Sequence, residues 1–290
     1  MSSSALAGGS LVQRFRRLDK AQILKWTVYS LLLLNWGYYA WDEWVIASHT
    51  LRQGGGLLDW TREFATTIDE AAWFGLLFMF ELETYMLSNE AWARRHTRWR
   101  IHAVRLICYL FLAHTVFARV TDMANYRALE QATEVTALCQ VADQDLSFGE
   151  NYRYQIVTAD NCAELSQDHR FWFIEPSVIT DHDGHALEGR LRWVDLQDAI
   201  TWLLVIWSIE LAVWLQNRKI TGGALMFASH AAKVFYAVLF VHMAWWLWLG
   251  HWVYAWDQFL WIAGFWAIEK NVTDWRWEIR DSEAGLLADT

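Results

Sequence analysis

Residues 196–216 read LQDAITWLLVIWSIELAVWLQ, and the reading of that stretch governs the reading of the chain. It is long enough to span a bilayer core of roughly 30 Å, which takes about 20 helical residues. No Pro or Gly interrupts it, so a continuous helix is expected. Two carboxylates, Asp198 and Glu210, stand inside it with Trp202 and Trp207 between them. A charge within an apolar run is expensive and points to a pairing or a function.

The same spacing occurs twice more. Asp69, Trp73, Phe78 and Glu81 repeat it, as do Asp257, Trp261, Trp266 and Glu269. The shared pattern is D-x3-W-x4-[FW]-x2-E, and at 1.5 Å per residue it separates Asp from Glu by ~18 Å along a helix. Other apolar blocks carry a complementary basic pattern: Lys25 with Tyr29, Arg105 with Tyr109, and Lys233 with Tyr236. His102, Arg105 and His114 recur in spacing as His230, Lys233 and His242. Such internal repetition implies related structural units.

Apolar blocks at about residues 22–46, 67–87, 102–120, 196–216, 224–248 and 252–270 alternate with charged stretches. The chain is 55% hydrophobic and 20% charged, and many of its 22 Trp fall near block ends, as expected for headgroup-layer aromatics. The fold class predicted is an all-α membrane protein with six transmembrane helices. These form three pseudo-repeated up-down pairs (22–87, 102–216 and 230–270). A small extracytoplasmic domain is expected between helices three and four. The sole Pro, Pro176, lies outside every block.

Basic clusters orient this scheme. Arg14, Arg16, Arg17 and Lys20 precede the first block, and Arg94, Arg95, Arg98 and Arg100 follow the second. Arg218 and Lys219 follow the fourth, and Lys270, Arg276 and Arg280 the sixth. The expected order is a cytoplasmic segment 1–21, helices one to three over 22–120, an acidic extracytoplasmic domain 121–190, helices four to six over 191–270, and a cytoplasmic tail 271–290. The first apolar run exceeds a signal-peptide core and is expected to stay as an anchor. The location expected is the bacterial inner membrane, multi-pass, with both termini cytoplasmic.

The 121–190 stretch holds 13 Asp and Glu against four Arg, a balance of −9. It also holds Cys139 and Cys162, a spacing that allows a disulfide worth about 3 kcal/mol in the chain-entropy picture. Tyr152–Val157 and Phe171–Ile179 have strand-like composition. Asp181-His182-Asp183-Gly184-His185 has no standard metal-site spacing and reads as an acidic turn. No hydrolytic triad emerges, no phosphate-binding context surrounds Gly54-Gly55-Gly56, and no nucleic-acid partner is implied.

The functional expectation is an ion channel or ion-coupled transporter subunit, with cation selectivity favoured. Glu81, Glu210 and Glu269, opposite Lys25, Arg105 and Lys233, would form an intramembrane charge network. Glu83 has no counterpart in the other repeats. Asp69, Asp198 and Asp257 would form an outer acidic ring that favours cations. The alternative is a noncatalytic accessory or scaffold subunit of a larger membrane complex, with structural charges. A haem-binding electron-transfer protein is the third reading: His102, His114, His230 and His242 would be a proton relay or, in that case, axial ligands. No cofactor is otherwise predicted, no catalytic residue or metal site is assigned, and membrane lipid, an inorganic ion or small charged solute, and further subunits are the expected partners.

Overall fold

A computed structural model describes residues 20–82, 94–218 and 223–265. Helix α1 (Lys20–Thr50) is followed by α2 (Leu57–Glu63), α3 (Ala65–Glu81) and α4 (Arg95–Arg127). A single 3-10 turn (Leu138–Val141) leads to β1 (Ser147–Glu150), β2 (Arg153–Ile156), the short α5 (Cys162–Leu165), β3 (Phe171–Glu175) and β4 (Val178–Asp181). Helices α6 (His182–Asn217) and α7 (Gly223–Trp248) follow. Residues 252–265 are helical.

Glycine ends two of the helices. Beyond α1 the chain turns at Gly54, with φ +93°, and the Gly54 N–H donates to the Leu51 carbonyl at 2.9 Å. Beyond α7 the same device recurs at Gly250, with φ +82°. A side chain at either position would be strained, which is why helices so often end this way.

Six membrane spans are not supported. Among the described residues one helix, α4, is long and apolar enough to cross a membrane, and only 28% of its most apolar window is buried. The expectation counted each aromatic-rich block as uniformly apolar, whereas several blocks bury polar groups. Helix α1 buries Asn35 and Glu43, and α3 buries Glu70. With 17 residues, α3 is ~26 Å long, short of a bilayer core. The first half of α6 carries Glu188, Arg192, Asp195 and Asp198. Among the described residues, the apolar stretch of α7 found is Lys233–Trp248, shorter than a span.

The chain forms two compact units. The first comprises Met1–Asn35 and His251–Thr290, of which 20–35 and 251–265 are described. Its buried side chains include Val28, Leu32, Ala255, Leu260, Trp261 and Ile262. A Cβ on Gly264 would meet Val28 at ordinary contact distance, 3.5 Å, so these two helical segments lie side by side. One buried polar bond crosses between them: Asn35 Nδ2 donates to Asp257 Oδ1 at 3.0 Å.

The second unit is Trp36–Gly250. Helix α4 packs against α3 and α6, and α6 against α7. Gly75 allows the close approach of α3 to α4, since a Cβ there would fall 2.7 Å from Cys108 Sγ. The four strands are ordered β2-β1-β4-β3; β1 pairs antiparallel with β2 and parallel with β4, and β4 pairs antiparallel with β3. One apolar cluster fills this part: Val135, Leu138, Val141, Leu146, Phe148, Val157, Cys162, Phe171 and Ile179. Cys139 and Cys162 are disulfide-bonded, tying the 3-10 turn to α5. Helix α6 contacts β1, β3 and β4, and so carries the sheet.

Candidate functional site

The helices of the second unit enclose a buried polar network beside the sheet. Its first anchor is Glu43 on α1, 7% exposed, whose two oxygens accept the backbone N–H groups of Thr66 (2.8 Å) and Thr67 (3.0 Å). Those amides are among the unsatisfied donors of the first turn of α3, so a carboxylate from another helix caps α3 and meets the positive end of its dipole. Arg119 on α4 donates to Thr66 Oγ1 at 3.1 Å and faces Asp195 of α6 at 3.6 Å. The Tyr152 hydroxyl donates to the same Asp195 at 2.6 Å. One turn along α6, Asp198 is 2.8 Å from His242 Nδ1 on α7.

A second branch lies one turn the other way. Arg192 donates to Glu188 (2.9 Å), to Glu175 on β3 (3.4 Å) and to the Asp122 carbonyl (3.0 Å). Strand β3 has a bulge between Phe173 and Glu175, and bulges of this kind re-aim side chains. Arg62 on α2 pairs with Asp122 at 2.9 Å and with Asp59 at 3.4 Å. Glu63, next to Arg62, completes the group.

The electrostatics follow from desolvation. Burial pushes the Glu63 carboxyl up to about 7, Glu175 and Asp122 push the same way, and Thr50 and Arg62 oppose them. Burial also raises Asp195, against the pull of the Arg119 guanidinium and the Tyr152 hydrogen bond. The buried Tyr152 phenol is raised well above its ordinary value, with Asp195 and Glu188 adding to the effect. Tyr152 therefore keeps its proton at neutral pH and acts as a donor. Burial works against the charge on Arg192, but Glu188 and Glu175 outweigh it.

The residues singled out by sequence fall into several environments. Asp69 accepts the Trp73 indole N–H at 3.1 Å, so the D-x3-W spacing is an i,i+4 hydrogen bond in this copy. Trp73 meets Trp202 edge-on at 5.7 Å, bringing two copies of the motif together. Asp257 belongs to the other unit, where Asn35 is its partner. Glu210 accepts the Tyr109 hydroxyl at 3.0 Å. Lys25 lies 5.6 Å from the centre of the Trp26 ring, Glu81 and Arg105 are half-buried, and Lys233 is exposed. Glu83 and Glu269 lie outside the described residues.

Of the four histidines, His242 joins the network. His102 and His230 are exposed, and His114 stacks on Phe117 at 6.3 Å. No group of three His, Cys, Asp or Glu suited to a metal ion occurs among the described residues. The Asp181–His185 segment starts α6: Asp181 Oδ1 accepts the Gly184 N–H at 2.9 Å, while His185 is stacked between Trp172 (4.6 Å) and Tyr126 (4.8 Å).

No family model, curated protein or solved structure matches the chain. The site therefore has to be read from its own chemistry. Ten of its members were not singled out by sequence: Glu43, Arg62, Glu63, Arg119, Asp122, Tyr152, Glu175, Glu188, Arg192 and Asp195. Glu43 and Arg119 did carry a signal, because each is a charge within or at the end of an apolar block. Tyr152 carried none, since its role comes from a turn conformation and a partner 43 residues away.

Proposed function

We propose that the protein is a membrane-associated proton- or cation-handling subunit, a channel or ion-coupled transporter whose working part is the polar network of the second unit. One observation carries this reading. Among the described residues, the carboxyl groups of Glu43, Glu63, Asp69, Asp122, Glu175, Glu188, Asp195 and Asp198 gather in the unit with the guanidiniums of Arg62, Arg119 and Arg192. Carboxylates that outnumber the cations beside them favour proton uptake or attract cations. Glu63, pushed up to about 7, exchanges its proton near neutral pH. Helix α4 supports the membrane part, because it joins an apolar, largely outward-facing window to a network residue, Arg119.

The alternative, an accessory subunit with structural charges, has its own support. Arg192 bonds Glu175 of the sheet and Glu188 of α6 together, which is what a structural fastener would do.

Reconstitution into liposomes with an internal pH dye separates the two. Under an imposed proton gradient or voltage the wild type should acidify the lumen. Asp198→Asn and Glu63→Gln, each keeping its shape and losing its charge, should slow that flux severalfold. A wild type that moves neither protons nor alkali cations, in either orientation, would sink the transport reading in favour of the accessory one.

A further inference from the structure

Each of the three motif aspartates meets a buried polar side chain at the same place on a second helix. In the first unit Asn35 on α1 donates to Asp257 at 3.0 Å. In the second unit the Thr115 hydroxyl on α4 donates to the Asp69 carboxyl, and His242 Nδ1 on α7 lies 2.8 Å from Asp198 Oδ1. All three partners are buried. Each stands six residues after a tyrosine: Tyr29, Tyr109 and Tyr236. The 3 and 9 spacing of the histidines would instead make His114 the counterpart of His242. His114 stacks on Phe117, however, and its neighbour Thr115 takes the place at the aspartate. Counting from the tyrosine therefore gives the register of the repeat, and in that register one position reads Asn, Thr and His.

An amide and a hydroxyl suffice to fasten the aspartate in two of the copies, and neither group takes up a proton in the physiological range. Imidazole does. With Nδ1 donating to Asp198, Nε2 is left as the acceptor for a further proton. The charged groups acting on Asp198 include Asp69 on α3 and Asp195 on α6, and Arg119 on α4 faces both of these. The Tyr152 phenol, from the β1–β2 hairpin, donates to Asp195. A positive charge placed beside Asp198 is therefore met by carboxyl groups from two helices. We propose that His242 is the proton-binding member of the network. A proton from water bonds to Nε2, and the imidazolium so formed is held by the Asp198 carboxylate. The corresponding Asn35 and Thr115 fasten their helices and bind no proton. This inference rests on the proton-handling reading of the network, and names the residue that takes up the proton.

A double-mutant cycle on the full chain tests this. Asp198→Asn, His242→Asn and the double variant are unfolded in denaturant at pH 5 and at pH 8, with wild-type proton flux measured in parallel in zwitterionic phospholipid vesicles. His242→Asn carries at this position the side chain that Asn35 supplies on α1, so it should fold. The coupling between Asp198 and His242, read as a ratio of unfolding constants, should rise about tenfold from pH 8 to pH 5 as an imidazolium–carboxylate pair replaces a neutral hydrogen bond. A bond that only fastens α7 to α6 would give the same coupling at both values. Equal coupling would overturn the proposal whether or not the wild type conducts. A rise in coupling supports it, and if the wild type then carries no flux, the transport reading alone falls. Should His242→Asn lose its helical circular dichroism, His242→Gln takes its place in the cycle: a rise in coupling supports the proposal and equal coupling overturns it.

Discussion

Two interiors lie side by side in the second unit and are built on opposite principles. Around the sheet, Phe171, Val178 and Ile179 are 0% exposed, and the disulfide fastens the periphery of the same apolar cluster. Among the adjoining helices the buried side chains include Glu43, Glu188 and Arg192. The first interior is held by apolar burial and dispersion, which scarcely respond to protonation. The second is held by charges that have lost their water, so its stability depends on which of them carry protons.

The strongest blow to the comparison is Phe171→Ala. It empties the centre of the apolar cluster and should cost about 3–5 kcal/mol, equally at pH 5 and pH 8, by denaturant unfolding. A marked pH dependence of that loss would mean the two interiors are not separate. Next is Arg192→Met, which leaves Glu188 and Glu175 buried without their cation. At pH 8 the expected cost is about 3 kcal/mol, and it should shrink at lower pH as Glu175, whose carboxyl burial raises, takes up its proton. A loss of the same size at lower pH would assign Arg192 a packing role only. Cys139→Ser with Cys162→Ser should cost about 3 kcal/mol, independent of pH, and reduction of the wild type should match it.

These contrasts also explain what the sequence could and could not reveal. The disulfide was legible because two cysteines in an acidic, loop-rich stretch have few other roles. Asp69 and Trp73 were legible as a unit because their interaction is local, one helical turn apart. The span count failed because Trp and Tyr give a block apolar weight without saying whether a neighbouring Asn35 or Glu43 faces lipid or another helix. The network could not be assembled from spacing, since Arg119 and Asp195 are brought together only by the packing of α4 on α6. Tyr152 is furthest from prediction: nothing local marks a tyrosine that replaces glycine in a turn.

The most diagnostic effect concerns Glu63. Its carboxyl is raised from an ordinary value of 4.5 to about 7 in the folded chain, so the folded state binds that proton more tightly than the unfolded state does. Stability from this group is therefore complete below pH 4.5, falls as pH rises towards 7, and stays at the lower level above that. Glu63→Gln cannot ionise, so it should remove that part of the slope and leave the protein more stable than wild type at pH 8. Urea denaturation from pH 4 to pH 8 reads this directly as the difference between the two curves. Parallel curves would mean that Glu63 is as well solvated in the folded chain as in the unfolded one, and the case for proton exchange near neutrality would lose its main support. Converging curves at acid pH, with separation opening between 4.5 and 7, would fix Glu63 as a point where the polar interior takes up and releases protons.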